Sequence, residues 1–89
     1  MLGSEWVAHY NGHKIRVTNA LLGGAKLYID GDCRDTNTQL FVSPSRPVLS
    51  ARVEPKGGDP FVVEVFVKAV LTIKAKICVN GNQIAGDVF

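Results

Sequence analysis

Phe61–Val79 reads FVVEVFVKAVLTIKAKICV, and every odd position in it is apolar: Phe61, Val63, Val65, Val67, Ala69, Leu71, Ile73, Ala75, Ile77 and Val79. A period of two residues puts all of these side chains on one face of an extended chain, whereas a helix would scatter them around its circumference. Val and Ile dominate, and their stiff χ1 favours a pleated backbone. The spacing predicts a β-strand with one face in a core, and Phe61, Val63 and Val65 as core residues.

Nineteen residues at about 3.3 Å each span roughly 60 Å. A domain of this length has a radius of gyration near 12 Å and a diameter of about 30 Å. The stretch therefore either breaks near Lys68, Ala69 and Val70 or carries one end out to pair with another chain. No Gly, Pro, Asn or Asp stands there to form an ordinary hairpin turn. A one-residue bulge would shift an alternation that stays in phase. The expectation is one long bent strand near the C-terminus that passes between sheets, or a second subunit that uses the overhang.

Outward from this stretch, turn signals recur. Ser4 to Tyr10 is an apolar run with Trp6, Val7, Ala8 and Tyr10, and it meets Asn11-Gly12, a hairpin dipeptide because both residues accept positive φ. His13 to Asn19 returns with Ile15 and Val17 on one face and Lys14, Arg16 and Thr18 on the other. Ala20 to Gly24 reads as a loop, and Lys26 to Ile29 as a third strand stopped by Asp30-Gly31. Asp32 to Asn37 (DCRDTN) is polar and reads as a surface loop. Thr38 to Val42 reads as a fourth strand, and Pro44 and Pro47 bracket a rigid connector. In Val48 to Glu54 the residues Leu49, Ala51 and Val53 point inward. Residues 55–60 form a turn, and Asn80-Gly81 leads into a last strand, Ile84 to Phe89. With no helical period between these signals, the fold class is all-β: an antiparallel β-sandwich of seven or eight short strands in a single domain, residues 1–89. Lys26 to Asp32 echoes Lys76 to Asn82, a match that hairpin chemistry alone can produce and that does not define a repeat.

With 46% hydrophobic and 20% charged residues among 89, the chain has a globular composition far from that of disordered sequences. Its core is small, and stability is modest unless subunits share apolar surface. A net charge of +2 and pI near 8.7 fall short of the strongly basic balance of a dedicated nucleic-acid binder. No signal-peptide pattern follows Met1, and Glu64, Lys68, Lys74 and Lys76 interrupt the longest apolar window, so no membrane partner and a cytoplasmic location are expected. Cys33 and Cys78 lack CxxC spacing and are expected as reduced thiols.

The run Trp6 to Asp32, with Asn11-Gly12-His13-Lys14-Ile15 and Tyr28-Ile29-Asp30-Gly31, resembles the start of the Fas apoptotic inhibitory molecule family. Val79-Asn80-Gly81-Asn82-Gln83-Ile84 is similar to a later strand-turn-strand of that family. The similarity covers about half of this chain, rests on hairpin motifs, and departs from the family's small-residue pair where the long stretch passes Ala69. It implies an antiparallel β-sandwich that binds proteins rather than catalysing a reaction, and it carries over no functional residue. The chain also resembles a set of short bacterial proteins, some encoded on integron gene cassettes. That likeness extends through Asp32-Cys33-Arg34-Asp35-Thr36-Asn37 and Val63-Glu64-Val65-Phe66-Val67-Lys68 and implies no activity.

Residues for chemistry are few. A nucleophile needs a base held against it and a third group to orient the base. His9, His13, Cys33 and Cys78 are the available pieces, and no G-x-S-x-G elbow is present. No catalytic residue is assigned, and the expectation is a protein that is not an enzyme and carries no cofactor. Asp30, Asp32 and Asp35 gather carboxylates without the EF-hand order, and read as turn-forming aspartates rather than a metal site. Lys14, Arg16, Lys74 and Lys76 are candidates for anion binding if their strands are neighbours, which would place them on one sheet face. The usual role of such residues is a solvated face that resists aggregation.

Val62, Phe66 and Val70 are large and apolar on the even face of the long stretch, with Glu64 and Lys68 between them, and a strand apolar on both faces lies in a middle layer or against another molecule. Eighty-nine residues are too few for three layers. These three are therefore the interface candidates of a homo-oligomer, most simply a dimer. The functional expectation is a non-catalytic protein-interaction or structural β-domain. The alternatives are anion or nucleic-acid binding through a lysine and arginine face, and small-ligand binding or a Cys/His hydrolase.

Overall fold

The computed structural model describes residues 3–20, 23–38, 43–69 and 72–89. They form eight strands and no helix: β1 (Gly3–Tyr10), β2 (His13–Ala20), β3 (Gly24–Ile29), β4 (Asp32–Asn37), β5 (Leu49–Val53), β6 (Phe61–Ala69), β7 (Ile73–Val79) and β8 (Asn82–Gly86). They make two four-stranded antiparallel sheets, ordered β1-β2-β3-β4 and β5-β6-β7-β8. Alternate residues of both sheets bury into one cluster, with Ile15, Val17, Leu27, Val63, Val65 and Ile77 fully enclosed. At about 25 cal/mol per Å² of apolar surface removed from water, this shared core is the main force holding the sheets.

The stretch Phe61–Val79 is a hairpin, not one long bent strand. β6 and β7 pair with each other from Val63↔Val79 to Ala69↔Ile73, which leaves no overhang for a second chain. A straight run of about 60 Å would exceed even the 42 Å longest dimension of the molecule. The unbroken alternation has a simple cause. Register partners here are of equal parity, so the three-residue connection between Ala69 and Ile73 returns odd residues to the same face. Phe61, Val63, Val65, Val67, Ala75, Ile77 and Val79 are all buried, whereas Ile73 at the hairpin end is exposed. Leu71 and Val70 lie outside the described residues.

Asp32–Asn37 is strand β4, not a surface loop. Its polar composition reflects an edge position, where pairing to β3 supplies the backbone bonds and the side chains turn to other tasks. Of the fourth strand expected at Thr38 to Val42, Thr38 is not in a strand and the other residues lie outside the described ones. The last strand begins two residues earlier than expected and ends at Gly86.

The two sheets are built alike. Asp30-Gly31 and Asn80-Gly81 both take positive φ at each residue (51° and 88°, 49° and 86°), the backbone of a two-residue hairpin turn. The register shift between Leu27 and Tyr28 in β3 recurs between Ile77 and Cys78 in β7. Asp30 N–H donates to Lys14 O and Asn80 N–H to Val62 O, both at 2.9 Å. The faint likeness between Lys26–Asp32 and Lys76–Asn82 thus marks a shared four-strand plan that is weak in sequence because only the turn demands particular residues.

Candidate functional site

β2 and β7 belong to different sheets, so the four anion-binding candidates do not share a face. Lys14 and Arg16 alternate with the buried Ile15 and Val17 and stand on the side of the first sheet away from the core. Arg16 is committed there: its Nε donates to Glu5 Oε2 at 2.5 Å and its guanidinium lies 5.0 Å from the Tyr28 ring. Lys74 and Lys76 stand on the corresponding side of the second sheet. Lys74 is the direct register partner of Lys68, and like charges opposite one another repel. Lys76 is the partner of Phe66. Its ammonium lies 5.4 Å from the Phe66 ring and 4.6 Å from that of Phe89, and donates to Phe89 O at 3.4 Å.

Of the interface candidates, Val62 and Phe66 are half-buried on this same outer side, two rows apart on β6. Val70 lies outside the described residues. No pattern in the chain signals that Phe89, beyond the last strand, returns to this face.

The titratable groups of the first sheet are held by turn chemistry. Asp30 Oδ2 accepts from His13 Nδ1 at 2.6 Å, and Oδ1 accepts from the Lys14 amide at 2.8 Å. The His13 hydrogen bond, followed by the amide, holds the Asp30 carboxyl below its ordinary range. His13 also lies against Phe61 of the other sheet, which meets Tyr10 edge-on at 4.9 Å between ring centres. His9 is exposed on β1. Cys33 is exposed, with Sγ 3.9 Å from Asp35 O. Cys78 is buried, which pushes its thiol up. Among the described residues no contact joins a cysteine sulfur to either imidazole, and none forms a group of three or more His, Cys, Asp or Glu able to hold a metal. None of the described residues forms a helix long and apolar enough to cross a membrane.

Residues read as loop have a definite task. Asn37 Nδ2 donates to Val48 O at 2.9 Å, the Ser50 amide donates to Asp35 Oδ2 at 2.9 Å, and Arg34 Nη2 donates to Arg52 O at 2.7 Å. β4 side chains thereby cap the backbone along the free edge of β5. The sequence pattern carries no signal for this, because the partners are eleven to eighteen residues away and backbone donors and acceptors leave no trace in residue type.

No protein-family model matches the chain, and no curated protein or solved structure matches it either.

Proposed function

We propose that the chain is a non-catalytic protein-interaction or structural β-domain, its two sheets stacked as a β-sandwich, that acts as a homo-oligomer by presenting a surface. The observation that carries this reading is the position of Phe66. Its ring sits half-buried on the face of β6 turned away from the core, the face that also carries the half-buried Val62 two rows along the strand. Burying a fully exposed side chain of this kind is worth about 1.5–3 kcal/mol, and the part of each still in water supplies a fraction of that to a contact in which Glu64 lies between the two apolar residues and Lys68 and Lys74 lie beyond Phe66. Phe66→Asp should lower the mass measured by light scattering while the far-UV circular dichroism stays that of a folded β-protein. An unchanged mass would remove Phe66 from the contact.

A second reading rests on the Lys68–Lys74 pair. Two lysines held opposite each other beside Lys76 and two aromatic rings favour an anion that neutralises them, a phosphate of nucleic acid among others. Anisotropy of labelled DNA and RNA at low salt tests it. Binding that Lys74→Glu weakens would support this reading, and a flat titration would sink it.

A further inference from the structure

Four strands end the two sheets: β1 and β4 in the first, β5 and β8 in the second. Three of these edges are blunted against pairing. β4 and β8 each carry a register shift. β5 has five residues, stops shortly before Pro55, and has three backbone groups along its outward side, the Val48 carbonyl just before the strand, the Ser50 amide and the Arg52 carbonyl, taken by Asn37, Asp35 and Arg34. Short length, bulges and prolines are the usual protections of a sheet edge. β1 has none of them: its eight residues pair with β2 in one unbroken register.

The likeness of the two sheets shows which groups β1 leaves open. Through the registers, Glu5, Val7 and His9 stand where Val48, Ser50 and Arg52 stand in the second sheet. The β8 side that would cap them carries Asp87, Ala85 and Ile84 in place of Asn37, Asp35 and Arg34. The Asp87 carboxylate already accepts from the Ala75 amide at 3.0 Å, and Ala85 and Ile84 have no polar side-chain atom. The hairpin gives the same phase independently. Tyr10 and His13 close a two-residue turn as a hydrogen-bonded pair, so even residues of β1 bond to β2 and odd ones point away. Val7, at the middle of this row, is 41% exposed.

We infer that the edge of β1 is where a second copy of this chain joins, antiparallel about a two-fold axis at Val7, so that two first sheets become one continuous sheet. In this register Val7 meets its own copy, and Glu5 of each chain faces His9 of the other. On the core side Trp6 of each faces Ala8 of the other, large against small. Acid against imidazole, twice over, is the self-complementarity that a two-fold contact requires. Sliding the register by one pair, to centre on Trp6, sets Glu5 against Val7 and loses it. Arg16 grips Glu5 from β2, and Lys14, the β2 partner of His9, is a cation beside the imidazole that the partner's carboxylate would offset. The inference rests on the homo-oligomer reading but uses a different sheet from Phe66.

Sedimentation velocity on the full chain over a wide concentration range tests it. Val7→Pro removes an outward amide without touching a β1–β2 bond, and should halve the mass with unchanged circular dichroism. His9→Glu introduces two like-charge pairs and should weaken association by about tenfold; adding Glu5→Lys should restore it. In the wild-type chain, the Glu5, Val7 and His9 amides should gain protection from hydrogen exchange as concentration rises, a readout that does not depend on any variant folding. Free exchange at these amides in an associated chain, or a chain monomeric throughout, would overturn the inference. Should Phe66→Asp lower the mass while Val7→Pro leaves it unchanged, the outer-face contact stands and this one falls; with the opposite pair of results, the β1 edge stands and the Phe66 contact falls.

Discussion

Asp30 and Asn80 occupy equivalent places in the two sheets, each at positive φ before a glycine and each accepting from a backbone amide of the neighbouring strand, β2 or β6: Lys14 N to Asp30 Oδ1 at 2.8 Å, Val62 N to Asn80 Oδ1 at 3.0 Å. The turn itself needs only a short side chain with an acceptor, which Asn and Asp both supply. What separates the halves is the extra partner. His13 meets Asp30, whereas Phe61 stands at the equivalent position before Asn80.

That difference predicts a pH dependence confined to one turn. The folded carboxyl of Asp30 is lowered, chiefly by His13, so its contribution is present above the unfolded carboxylate pKa and is lost as pH falls through the lower folded value. Asp30→Asn keeps the acceptor for the Lys14 amide and abolishes this titration. The difference in melting temperature between wild type and Asp30→Asn should be largest near neutral pH and shrink below about pH 4. Parallel curves down to pH 2 would show that the pair adds no pH-linked stability.

Gly86 and Gly81 both have positive φ, but only one is crowded. A Cβ on Gly86 would run into the Ala75 carbonyl and come within 2.7 Å of Lys76 Cα, whereas a Cβ on Gly81 meets nothing within 4 Å. Gly81→Ala should therefore cost about 1 kcal/mol of backbone strain. Gly86→Ala should cost about 2 kcal/mol or more, because β8 must shift away from β7. Urea denaturation of the two variants checks the order.

Asp35 couples the sheets at one edge. Removing its carboxylate leaves the Ser50 amide without its partner, and Asp35→Ala should lower stability by about 1–2 kcal/mol. It also opens the edge of β5, so the variant should associate more readily on size exclusion than wild type. An Asp35→Ala chain of unchanged stability and mass would mean that water replaces the cap without cost.

Leu27 and Ile77 are equivalent through the registers and both fully enclosed. Leu27→Ala and Ile77→Ala should each cost about 2–5 kcal/mol by transfer and cavity terms. Because one cluster joins both sheets, each variant should unfold in a single cooperative transition. Two resolved transitions in either would show that the sheets melt separately.

That the chain is built of strands, and which side of β2, β5 and β6 is buried, can be read from residue order alone. Alternation is a property of the extended backbone, so Ile15, Val17, Leu49, Ala51, Val53, Phe61, Val63 and Val65 can be assigned to a core without any knowledge of their partners. The Asx-Gly turns are equally legible, because positive φ restricts residue type. Three matters depend instead on how the strands come together. Equal parity across the β6–β7 hairpin makes two strands read as one, so the turn between Ala69 and Ile73 is invisible to periodicity. DCRDTN is a strand because β3 pairs with it and β5 receives its side chains, interactions that outweigh its poor strand propensity. The separation of Lys14 and Arg16 from Lys74 and Lys76 follows from strand order, which long-range packing sets and local pattern does not encode.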